Sequence, residues 1–136
     1  MKSAKLYAIH SSCGIVKFGV ATNIKLRWRA LRHSKMIAAS SFMSTPIIEN
    51  GCFAAEKKLL GRASKILTKA FGSEFFYCSD FGIARNLLKQ THREFSDVNV
   101  GWREYYGCNP VGKEWTKAVR KIKKDTPYVS QALNRS

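Results

Sequence analysis

Acidic residues are scarce in this 136-residue chain: nine Asp and Glu stand against 24 Lys and Arg, a formal charge of +15. That imbalance points to a polyanionic partner, with nucleic acid as the first candidate. Histidine is sparse as well, and His10, His33 and His92 are scattered along the chain. The four cysteines, Cys13, Cys52, Cys78 and Cys108, contain no CxxC pair, which argues against a zinc ribbon and suits reduced thiols in a cytoplasmic setting. Neither a secretory-signal pattern nor an apolar run long enough to span a membrane is found, so no membrane partner is expected. Repeats and low-complexity linkers are missing too, and at this length one domain is expected. Hydrophobic residues make up 45% of the chain, which excludes disorder throughout.

What is present concentrates between Leu6 and Leu31. Two alternating segments flank a Ser-Ser-Cys-Gly turn. Leu6, Ala8 and His10 fall on one side of the first segment, and Tyr7 and Ile9 on the other. In the second, Val16, Phe18 and Val20 form an apolar row opposite Ile15, Lys17 and Gly19. Packing both apolar rows on one core puts Tyr7 and Lys17 together on the other face, and one hairpin register sets them directly opposite each other. A basic helix follows, opened by Asn23 as N-cap, with Ile24, Trp28 and Leu31 as its apolar stripe. Arg27 lies within that stripe. It either meets a carboxylate or phosphate, because unpaired burial of a guanidinium is costly, or snorkels to water from the stripe's edge.

The charge is uneven. Residues 1–68 hold twelve basic residues and two acids, Glu49 and Glu56, whereas residues 69–136 hold twelve and seven. Periodicity predicts a third strand within Met36–Met43 and a long helix over Phe53–Phe71, ended by Gly72. Glu56 sits in the first turn of that helix on its apolar side, either complementing the helix dipole or binding a divalent cation. A strand is expected at Glu74–Cys78, and a helix from Asp80 to Phe95 capped by Ser79. Residues 96–112 read as irregular; their Trp102, Tyr105 and Tyr106 are expected more as anchors onto the core than as stacking platforms for bases. A last basic helix is expected over 113–124, either lying on phosphates or facing solvent.

Several of these pieces resemble the GIY-YIG nuclease superfamily, in particular its phage and mobile-element branch. The resemblance rests on Lys5-Leu6-Tyr7, on Lys17-Phe18-Gly19, on Arg27 eight positions after Gly19, on Ala55-Glu56, and on Gly72-Ser73-Glu74-Phe75-Phe76; it covers roughly residues 5–80. It implies an α+β fold, a small antiparallel sheet of three or so strands flanked by helices. Residues 1–95 would form the nuclease-like domain, and 96–136 a basic, aromatic-rich extension with a helical region. The implied activity is metal-dependent endonuclease cleavage of DNA. Tyr7, Lys17, Arg27 and Glu56 would be catalytic, with Glu56 holding one Mg²⁺ or Mn²⁺. Gly19, Arg29, Arg32, His33 and Lys58 would contact the substrate. Lys17 stands where the wider superfamily has a second tyrosine, Leu31 where many members have histidine, and Phe75 where a tryptophan is usual. These departures keep a second reading open: a catalytically silent nucleic-acid-binding or anti-defence protein on the same scaffold.

Overall fold

The computed structural model describes residues 3–11, 14–32 and 39–106. Its elements run β1 (Lys5–Ser11), β2 (Ile15–Ala21), α1 (Ile24–Arg32), β3 (Ala39–Ser44), α2 (Cys52–Ile66), β4 (Thr68–Lys69), β5 (Phe75–Tyr77), α3 (Phe81–Phe95) and β6 (Arg103–Tyr106). All six strands form one antiparallel sheet in the order β4-β5-β2-β1-β3-β6. The α+β class matches the expectation, but the strand count does not, since about three strands were expected and six are present. The extra strands are two- and four-residue pieces at the sheet margins, too short to show a period of two.

The two faces of the sheet are covered by different helices. On one face Leu6, Ala8, Val16, Phe18 and Phe76 pack against Ala55, Leu59 and Ala63 of α2 and Ala84, Leu87 and Leu88 of α3. On the other, Tyr7, Ile9 and Phe42 pack against Ile24 and Trp28 of α1. Both rows of β1 are therefore buried, which explains why its alternation is chemically weak in the sequence. Asn23 caps α1 as expected, its side chain accepting from the Leu26 N–H at 3.1 Å.

Three local expectations need correction. The helix expected to reach Phe71 ends at Ile66. Leu67 is already extended, and β4 turns back at Gly72 (φ +63°) to pair with β5. The helical spacing persists in sequence, but the free edge of β5 offers backbone partners, such as the Ala70 N–H to Phe75 carbonyl bond at 2.9 Å. The cap of α3 is Asp80, not Ser79; its carboxylate accepts from the Gly82 N–H at 2.8 Å. Residues 103–106, read as irregular, form β6 against β3. Trp102 and Tyr105 anchor this segment, each packing on one of the two cores, whereas Tyr106, expected to do the same, is exposed. The helix expected over 113–124 lies outside the described residues.

Phe42 is the hub of the second core. Its ring meets Tyr7 at 5.4 Å, Trp28 at 5.3 Å and Tyr105 at 5.8 Å, and it is fully buried. Phe42→Ala is expected to lower stability by about 3–5 kcal/mol in denaturant unfolding. A loss below about 1 kcal/mol would show that α1 and β6 hold to the sheet by other means.

Candidate active site

Pairing of β1 with β2 sets Tyr7 opposite Gly19 and Ile9 opposite Lys17. Tyr7 and Lys17 are thus diagonal neighbours on the α1 face, not the directly opposed pair that another register allows. A lysine stem spans that diagonal. Its ammonium donates to the Tyr7 oxygen at 2.7 Å and lies 5.0 Å from the centre of the Tyr7 ring. The opposing position admits only glycine. A Cβ at residue 19 would stand 2.5 Å from the Tyr7 hydroxyl and 2.6 Å from its ring carbon Cζ, inside any allowed contact. Gly19 therefore serves Tyr7 sterically: with no side chain of its own, it lets the phenol lie flat across the hairpin.

Lys17 has a second partner. Glu74 Oε2 accepts from Nζ at 3.1 Å, where the lysine side chain is 14% exposed and that of Glu74 38%. The carboxylate is carried by the tight turn between β4 and β5, and the Glu74 carbonyl accepts from the Phe18 N–H at 3.1 Å. Phe75 closes the side of the lysine stem, its ring centre 6.0 Å from Nζ, and stacks on Phe71 at 4.4 Å. Glu74 was quoted in the resemblance as part of a Gly-Ser-Glu-Phe-Phe run but was given no role. Its signal in the sequence is weak, because a glutamate after a turn usually faces solvent.

Glu56, in the second turn of α2, completes the cluster. It is half-buried. Burial pushes its carboxyl pKa above the ordinary range; the nearby Glu74 carboxylate adds to the rise, and Lys17 opposes it. Glu56, Glu74 and Lys17 therefore share one electrostatic neighbourhood, although α2 and the hairpin are remote in sequence. The oxygen-only donor set suits a hard divalent cation. No group of three or more His, Cys, Asp or Glu placed to hold a metal occurs among the described residues.

Other expected residues sit elsewhere. Arg27 is exposed on α1, and its guanidinium has no hydrogen bond or ion pair to a described residue. It therefore lies at the exposed edge of the stripe, open to an anionic ligand. Arg27 borders a cleft of about 520 Å³ with Asn23, Leu26, Ala30 and Leu31. Arg29 is exposed on the same helix, and Arg32 is its last residue. Lys58, expected at the substrate, pairs with Glu94 of α3 at 3.0 Å, in a network that includes Arg62 and Thr91. His33 lies outside the described residues. His10 is a packed histidine, as its place among core positions suggests: Nε2 donates to the Cys78 carbonyl at 2.6 Å, the ring stacks on Phe81, and burial lowers its pKa. The Cys78 thiol is buried too, its pKa pushed up to about 11.

No protein-family model, curated protein or solved structure matches this chain.

The raised pKa of Glu56 carries a sign. A carboxyl that holds its proton more tightly folded than unfolded adds stability while protonated. That stability is lost as pH rises through its folded value. Glu56→Gln has no proton to lose. With chelator present, the melting temperature of the wild-type protein is expected to fall relative to that of Glu56→Gln as pH rises from about pH 4. A difference that stays constant, or reverses sign, would contradict the raised proton affinity that burial gives Glu56.

Proposed function

We propose that the chain is a metal-dependent endonuclease that hydrolyses phosphodiester bonds in DNA. The observation that carries the reading is the Lys17 ammonium held on the Tyr7 oxygen, with the Glu56 carboxylate within electrostatic reach. Phosphodiester cleavage requires a nucleophilic water, neutralisation of the phosphate and help for the leaving oxygen. Glu56 is the group that would hold one Mg²⁺ or Mn²⁺, which when bound supplies Lewis-acid stabilisation of phosphate charge. Arg27, exposed and free of carboxylate partners among the described residues, would take the phosphate bidentately. Tyr7 would orient or deprotonate the water, with the Lys17 ammonium seated on its oxygen.

Tyr7 is only 1% exposed. The same burial favours a second reading, in which the scaffold binds nucleic acid without cutting it. The charge of +15 and an α1 that contains no acidic residue serve either reading.

Plasmid DNA separates the two. Supercoiled plasmid incubated with Mg²⁺ or Mn²⁺ is expected to be nicked by the wild-type protein, and not by Glu56→Ala or Arg27→Ala. Tyr7→Phe is expected to lose about 100-fold or more in rate while its circular dichroism is unchanged. Tight, salt-sensitive binding without nicking, unaffected by Glu56→Ala, would leave the binding reading in its place.

A further inference from the structure

Two groups touch one ammonium at this site. Lys17 meets Tyr7 from β1 and Glu74 from the β4–β5 turn. Glu74 is in direct contact at 3.1 Å, whereas Glu56 acts on Lys17 through its charge alone. We propose that Glu74 is a positioning residue: its carboxylate seats the Lys17 ammonium on the Tyr7 oxygen. The proposal rests on the nuclease reading and goes beyond it by assigning the acid that holds the lysine in place.

The need for such a residue follows from the side chain it holds. A lysine stem is flexible and its ammonium strongly hydrated, so one acceptor does not hold it in place. Here the stem lies against two rings, Tyr7 at 5.0 Å and Phe75 at 6.0 Å from Nζ, and the ammonium has two acceptors. Of its three donors, one goes to the phenol and one to Glu74. The third has no partner among the described residues and is left for a phosphate oxygen.

Glu74 is itself well seated. Gly72, at φ +63°, makes the tight turn that returns the chain beside β2, and the Glu74 carbonyl accepts from the Phe18 N–H. The carboxylate is thus presented from fixed backbone beside Lys17, which pairs with Phe75, the next residue. Without the acid, the Lys17 ammonium keeps one acceptor in place of two.

The test uses Glu74→Ala, Glu74→Gln, Lys17→Met and the Lys17→Met/Glu74→Ala double variant, assayed for Mn²⁺-dependent plasmid nicking. Glu74→Ala is expected to lower kcat about tenfold with KM within about twofold of wild type. Glu74→Gln keeps an acceptor for the ammonium and is expected to recover most of the loss. In the Lys17→Met background, Glu74→Ala is expected to cost nothing further, because its effect runs through the lysine. A wild-type rate in Glu74→Ala, or an undiminished cost of Glu74→Ala in the Lys17→Met background, would overturn the proposal. A second readout does not need activity. In protein labelled with ¹³C at tyrosine Cζ, the Tyr7 resonance of Glu74→Ala is expected to move to its position in Lys17→Met. If the wild-type protein does not nick DNA but this shift occurs, the nuclease reading falls and the positioning role stands. If the resonance stays at its wild-type position, the positioning role falls.

Discussion

A phenol lying across a glycine is the contact on which the rest of the site depends. The β1–β2 register sets Tyr7 against Gly19, and a side chain of any size at residue 19 would occupy the space of the Tyr7 ring. From that one steric condition the other placements follow. The phenol oxygen comes to rest over the hairpin, where the Lys17 ammonium two residues away on β2 can reach it. Phe42 supports the opposite side of the ring, and through Phe42 the phenol is tied to Trp28 and so to the helix that bears Arg27 and Arg29.

Electrostatics at the cluster run against the character of the whole chain. Nine acids are distributed among 24 cations, yet two of those acids share the neighbourhood of one half-buried lysine. Burial is the main reason that Glu56 holds its proton more tightly than an ordinary carboxylate, and the charge of Glu74 adds to the cost of ionising it. Natural chains tolerate such costs where a cation or a substrate relieves them. The exposed ion pairs of Lys58 and Arg62 with Glu94 have a different character. They fasten α2 to α3 at the surface, in solvent, where such pairs contribute little individually.

How much of this was legible in the sequence depended on the range of each interaction. The β1–β2 hairpin, the Asn23 cap and the Ile24–Trp28 stripe are local patterns, and the structure follows them. The shared face of Tyr7 and Lys17 was legible from alternation, but the diagonal register was not, because alternation is blind to a shift of two residues. The end of α2 was misread because Leu67 and Ala70 continue a helical spacing, while the winning interaction, pairing with β5, is tertiary. Strand β6 was missed for the same reason, since only Tyr105 of its four residues turns inward. The Lys58–Glu94 pair was not legible, because helical phase shows which side a residue occupies but not which residue of α3 meets it. Glu74 had no signal apart from its place in a short motif. Its role is a matter of which lysine it meets.

The central claim is that Glu56 holds a divalent ion beside the Tyr7–Lys17 pair. Crystals of the protein soaked in Mn²⁺ and measured at a wavelength where manganese scatters anomalously test it most directly. An anomalous peak on the Glu56 carboxylate, at about the 2.1 Å coordination distance typical of small hard cations, is the expected result. A map with no peak at Glu56, or with manganese bound only at other carboxylates, would contradict the account.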